Sequence, residues 1–304
     1  MQRLQCNKIT WIDLQNPSAT DIAQLQKDFN IHEIIAAELS IQSYRARVED
    51  YDTHLYMVLR MPVVRRKDAP PGTSREIDFI IGKDFLITVH NGKIGELQKM
   101  QEELSKSDLH CGKSFGSSSI NILHTIISQL FSDLLEDLDH FGVQIDSIER
   151  KIFKNPDKEV VEDISVLRHT ILNFRRALKP QQIVLESLAN RGIQMFGERQ
   201  APLLRDIQGE YLRVWDLIEN HKETLDALND THTSLLSTKS TEVIQRLTLM
   251  AFITFPLTLI ASVFGMNTKY LPIVGRPGDF WIIFTIMLVG VAGMTIYFKK
   301  KRWL

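Results

Sequence analysis

The stretch LTLMAFITFPLTLIASVFGMNT, residues 247–268, holds no Asp, Glu, Lys or Arg. A helix over it would reach roughly 33 Å, against a bilayer hydrocarbon core of about 30 Å. A second charge-free run, Phe280–Phe298, follows a short loop. It would reach roughly 28 Å and needs some interfacial help. Tyr297, Trp303 and the tail Lys299-Lys300-Lys301-Arg302 supply that help as aromatic and basic anchors. The two runs predict a membrane hairpin. Lys and Arg concentrate on the cytoplasmic side of membrane helices, so residues 299–304 should be cytoplasmic, and residues 1–246 with them. The loop 269–279 then faces outside, with Gly265-Met266-Asn267 at its entrance.

Behind the first span, Ile207, Tyr211, Val214, Ile218, His221, Leu225, Leu228, His232 and Leu235 recur in steps of four and three. That is a heptad seam interrupted by two histidines. No Pro or Gly stands between Tyr211 and Leu247. One helix is therefore expected from about Pro202 through Gly265, on the order of 95 Å long. A helix of that length needs packing partners, so residues 202–246 are expected to form an oligomeric stalk.

Residues 119–201 read as a helical hairpin. Ile120–Phe153 is amphipathic, Asn155-Pro156-Asp157 breaks it, and Lys158–Lys179 continues up to Pro180. Residues 1–118 read as an α/β domain. Thr20–Phe29 and His32–Leu39 have helical spacing, while Thr53–Val64, Glu76–Ile81 and Phe85–Val89 are β-branched and aromatic strands. Asp68–Thr73 is a turn, and Gly82-Lys83-Asp84 joins the last two strands as a hairpin. Met1–Asp13 is mixed and polar and has no leader's apolar core.

Across 304 residues, 36 basic and 37 acidic side chains leave a net charge of −1, which argues against nucleic acid as a partner. Cys6 and Cys111 have no metal-ligand spacing and read as free thiols in a reducing compartment. The nine histidines form no close His-x-x-His or Cys/His set and read as scattered surface or core residues, with His221 and His232 in the seam as polar register devices rather than ligands. No phosphate loop, nucleophile elbow or zinc-hydrolase motif is present, so an enzyme is not expected. Asp133, Glu136, Asp137 and His140 share one helical face, which reads either as a solvated acidic surface or as an ion-sensing one.

These residues resemble the CorA family of magnesium transport proteins. The resemblance is carried by Phe264-Gly265-Met266-Asn267 after the first of two terminal spans and by the basic tail. Arg47-Val48-Glu49-Asp50-Tyr51, Ile77-Asp78-Phe79, residues 86–90 and residues 175–180 support it along nearly the whole chain. It implies a homopentamer: an α/β cytoplasmic funnel, a long-helix stalk and two C-terminal transmembrane helices in the inner (plasma) membrane. The long helices would line a pore carrying hydrated divalent cations inward, Mg2+ first and Co2+ or Ni2+ besides. A ring of Asn267 carboxamides, set by Gly265 and Met266, would select ions by hydrogen-bonding their water shells, because Mg2+ dehydrates reluctantly. Thr241, Ile244, Leu247, Ala251 and Phe255 would face the pore, with Leu247 as a dewetting gate. Thr241 stands where the family commonly has Asn. The loop carries Lys269 and Arg276 and no acid before Asp279, so ion selection would rest on Asn267 without acidic help. Asp206, Glu96 and Asp133 would bind regulatory Mg2+ between subunits. Two alternatives stay open: the zinc-transporting branch of the superfamily, and a membrane-tethered sensor that conducts nothing.

Overall fold

A computed structural model describes residues 2–6, 9–41, 45–63, 74–105, 118–154, 158–267, 273–275, 277–301 and 303. The expected turns at Asp68–Thr73 and Asn155-Pro156-Asp157, and also Cys111, Lys269 and Arg276, lie outside them. The chain divides into two compact units, Met1–Asn229 and Asp230–Leu304.

The first unit opens with strands β1 (Gln2–Cys6) and β2 (Ile9–Gln15), then helices α1 (Ala19–Phe29) and α2 (Glu33–Glu38). Strands β3 (Arg47–Asp50), β4 (His54–Pro62), β5 (Ser74–Gly82) and β6 (Phe85–His90) follow, then α3 (Gly95–Ser105). The six strands form one sheet in the order β1-β2-β6-β5-β4-β3, antiparallel except for the parallel pair β2 and β6.

Both faces of this sheet are covered, so its strands read as nearly continuous apolar runs. Ile12, Leu14, Tyr56, Val58, Ile80, Ile87 and Val89 pack against Ile22, Leu25, Ile35 and Leu39 of α1, α2 and their ends. The alternate residues Leu55, Met57, Ile77, Phe79 and Leu86 are equally buried. Helix α1 starts and stops where its sequence says it should. Asp21 N–H donates to Ser18 Oγ at 3.2 Å and Ser18 N–H to Asp21 Oδ2 at 2.9 Å, a capping box, and Asn30 closes the C-terminus in the left-handed region.

Helix α4 (Ser119–Lys154) is followed by α5 (Lys158–Leu178) and α6 (Gln181–Phe196). Residues 119–201 thus hold three helices rather than the expected hairpin. Pro180 ends one helix and sits just before the next, so it acts as a corner rather than a stop. A 3-10 turn, Glu198–Gln200, leads into α7 (Ala201–Phe264), one helix of 64 residues that passes through Pro256.

The seam on α7 also departs from expectation. Ile207, Tyr211, Val214, Ile218 and Leu225 are buried within the single chain. The Tyr211 hydroxyl donates to the Leu178 carbonyl at 3.2 Å, and its ring meets Phe131 edge-on at 6.3 Å. His221 Nε2–H donates to the Leu138 carbonyl at 2.9 Å, and Arg175 pairs with Glu219 at 2.6 Å. The heptad spacing therefore serves packing on α4 and α5 of the same subunit. A two-to-one helix packing and a coiled-coil dimer ask for nearly the same apolar period, which is why periodicity could not separate them.

The second unit ends in α8 (Asp279–Lys300). Gly278, at φ +91, precedes it, and the Asp279 carboxylate accepts from the N–H groups of Gly275 at 3.0 Å and Phe280 at 2.7 Å. An acid there also complements the helix dipole.

Candidate functional site

The sequence-predicted residues form three groups. The first is the C-terminal end of α7. Gly265 N–H donates to the Ala261 carbonyl at 2.9 Å and Met266 N–H to the Val263 carbonyl at 3.3 Å, so the helix tightens as it stops. A Cβ on residue 265 would stand 3.0 Å from the Ala261 carbonyl oxygen, which explains the glycine. Asn267 follows, exposed, with its carboxamide in no hydrogen bond among the described residues.

The second group is the stripe along α7. Ile244, Leu247 and Phe255 are 60%, 61% and 75% exposed, and Ala251 is half-buried. Large aliphatic and aromatic side chains left this open by their own chain need lipid or other subunits around them. Thr241 is exposed too, and its hydroxyl donates back to the Ser237 carbonyl at 3.0 Å. That proton is spent on the helix, so the oxygen lone pairs are what Thr241 can offer. Helices α7 and α8 both contain stretches long and apolar enough to cross a membrane.

The third group divides. Glu96 of α3 and Asp133 of α4 line one cavity of about 270 Å³ with Lys99, Arg75, Glu136 and Asp137. Burial holds the Asp133 carboxyl above the usual carboxylate range despite a hydrogen bond from Gln129 at 3.0 Å, and Glu96 and Glu136 push it the same way. Burial raises Asp137 as well. Of the face read as either solvated or ion-sensing, Asp133, Glu136 and Asp137 line this cavity and His140 does not. Asp206 does not line it. Asp206 lies on α7, 61% exposed at its side chain, and accepts from His124 Nε2–H at 2.7 Å.

His124 and Glu210 are the residues that sequence reading missed. With Asp206, one donor atom from each lies within 4.8 Å of the others. Glu210 was findable, because Asp206 and Glu210 stand at i and i+4 on one helix. His124 was not, since α4 contributes it from 82 residues away and it belongs to no local motif. Burial holds the Glu210 carboxyl above its ordinary range.

Comparison with known proteins gives a consistent picture. The model of the CorA-like Mg2+ transporter protein family matches residues 7–300. The cobalt/magnesium transport protein CorA of Thermotoga maritima is 27% identical over 296 residues, which cover 97% of this chain and 83% of that protein. The complete structure of the CorA magnesium transporter from Methanocaldococcus jannaschii superposes with a TM-score of 0.82 at 20% identity, covering 100% of this chain and 95% of that one. The cytoplasmic domain of ZntB from Vibrio parahaemolyticus shares the fold over 77% of this chain and 90% of its own, with a TM-score of 0.63 at 16% identity.

Proposed function

Because the chain belongs to the CorA-like Mg2+ transporter family, we propose that it is a passive channel for divalent cations, Mg2+ before Co2+ and Ni2+. The observation that carries this reading is the end of α7. One unbroken helix brings an apolar, uncovered stripe up to an exposed Asn267. Five copies around an axis would turn the stripe into a pore wall and the carboxamides into a ring. Each carbonyl could accept a hydrogen bond from a water of the hydrated ion, so Mg2+ would pass without losing its shell. Leu247 would form the hydrophobic constriction, which conducts only when wetted. Residues 1–246 and 299–304 would lie in the cytoplasm, with the protein in the inner membrane.

Gating would come from the cytoplasm. Mg2+ bound between Asp206 of one subunit and the Glu96–Asp133 pocket of the next would offset the mutual repulsion of those carboxylates and hold the ring closed. When cytoplasmic Mg2+ falls, the repulsion returns and the open state gains population. The exposure of Asp206 and the raised carboxyl of Asp133 support this, since both favour a cation brought from outside the chain.

The test is cation uptake into vesicles holding the full-length protein, with and without internal Mg2+. Uptake of Mg2+ that internal Mg2+ suppresses is expected. Absence of uptake under both conditions would leave a non-conducting sensor, and Zn2+ uptake without Mg2+ uptake would move the chain to the zinc-transporting branch. The sensing set has its own measurement. Mg2+ should protect residues 1–246 from protease in the parent protein, and Asp206→Ala should lose that protection. Equal protection in both proteins would remove Asp206 from the set.

A further inference from the structure

We infer that the arginine-walled cavity between β3, β4 and the α5–α6 corner binds a nucleoside polyphosphate in its metal-free form. The inference does not rest on the channel reading, because it concerns binding within the first unit and no ion flux.

The argument begins with the charge of the wall. The cavity holds about 570 Å³, and Arg45, Arg47, Arg60 and Arg176 line it. No Asp or Glu lines it among the described residues. Three carboxylates hold two of these arginines from outside the lining. Arg47 pairs with Glu38 and Glu49, and Arg60 pairs with Glu76 at 3.0 Å. Those pairs offset part of the charge and fix the two half-buried guanidinium groups. The exposed cations that a ligand meets are Arg45, just ahead of β3, and Arg176, near the end of α5. Arg176 forms no ion pair among the described residues. A guanidinium offers a planar fork of donors that matches phosphate oxygens two at a time.

The size and the rest of the lining select the ligand class. A volume of this order suits a drug-sized molecule and far exceeds one phosphate. Val48, Ala177, Ile183 and Val184 add an apolar wall beside the arginines. A flat base can lie against such a wall or stack on a guanidinium plane. A nucleotide joins the anion and the flat ring in one molecule.

Gln181 adds an independent observation. It is 1% exposed and lines the cavity. Its Nε2 donates to the Ala177 carbonyl at 3.1 Å and the Arg60 carbonyl at 3.2 Å, which settles which end of the amide is oxygen. Its Oε1 is buried and meets no donor. An acceptor closed off in this way is costly. A ribose hydroxyl or a base amino group supplies the donor, and a bare phosphate chain does not.

The metal-free form follows from the charge. Polyphosphates bind Mg2+ through their oxygens, and the complex carries less negative charge than the free anion. A wall of cations without carboxylates attracts the free anion more strongly. The cavity would thus take up the nucleotide in the state it adopts when Mg2+ is scarce.

The test is calorimetric titration of ATP into full-length protein in detergent, once with EDTA and once in excess Mg2+. One ATP per subunit is expected, bound more tightly in EDTA. The double variant Arg45→Gln, Arg176→Gln should weaken it at least about tenfold. Its circular dichroism should match the parent, since both side chains are exposed and Arg45 accepts from Arg47 through its backbone carbonyl. Arg176→Lys keeps the charge without the fork and should fall between the two. Arg213→Gln, on an exposed part of α7 outside the cavity lining, should bind as the parent does. Absence of ATP binding by the parent overturns the inference, and so does equal weakening by Arg213→Gln. Tripolyphosphate bound as tightly as ATP would overturn the nucleoside assignment, and tighter binding in Mg2+ the metal-free one.

Discussion

Asn267→Ala should reduce Mg2+ uptake into vesicles to that of vesicles without protein, while the protein still folds. Asn267 is exposed and follows a helix end already closed by backbone bonds from Gly265 and Met266, so its removal breaks no buried contact. What it removes is a hydrogen-bond acceptor at the narrowest polar point of the proposed path. A hydrogen bond to a charged or strongly polarised partner contributes about 1.5–3 kcal/mol net. A hydrated Mg2+ that loses even two such bonds at the ring meets a barrier about 3 kcal/mol higher, which slows passage about a hundredfold. A methyl group offers nothing in their place. Asn267→Gln keeps the carboxamide and should retain part of the flux. Parent-level Mg2+ uptake by the alanine variant would rule out the carboxamide ring as the selective element.

The second large effect lies in the sheet of the first unit. Asp78 stands on β5 opposite Val58 and Val89, 7% exposed, and accepts from the Tyr56 hydroxyl at 3.2 Å. Burial, and then the neighbouring charge of Glu76, push its carboxyl up to about 7 from an ordinary value of 3.8. The folded protein therefore holds a proton that the unfolded chain has released. Stability from this group is intact below about pH 4, falls as pH rises and is fully lost above about pH 7. Three pH units correspond to about 4 kcal/mol. Asp78→Asn is neutral at every pH and can still accept from Tyr56, so it should melt higher than the parent at pH 8 and about equally at pH 4. Melting temperatures of both proteins across that range measure it. Parallel pH profiles would mean that Asp78 is not the group responsible.

Much of the fold was legible because its signals are local. Long apolar runs mark the two membrane-length helices, β-branched and aromatic apolar runs mark β4, β5 and β6, and the Ser18–Asp21 box with Asn30 brackets α1. The strands that escaped notice carry weak local signals. Strand β1 reads Gln-Arg-Leu-Gln-Cys and β3 reads Arg-Val-Glu-Asp, and both are held chiefly by a neighbour's ladder. Strand β2 shares that fate, since its parallel partner β6 comes about 75 residues later. The buried network there shows the same limit. His90 Nε2 stands 3.2 Å from the Asp13 carboxylate and Nδ1 2.8 Å from the Gly92 carbonyl, Trp11 donates to Thr88 at 3.1 Å, and Thr88 donates to Asp13. No spacing along the chain announces that set.

Residue order alone therefore determined the two apolar, membrane-length helices and the exposed Gly265-Met266-Asn267 just after the first of them. Each depends on the hydrophobicity, period and capping of contiguous residues. Tertiary structure alone decided that the α7 seam is covered by its own subunit, that Glu96 and Asp133 share a pocket without Asp206, and that His124 reaches Asp206 and Glu210. Those outcomes depend on which helix faces lie against each other, and a one-dimensional period fixes a face without naming its partner.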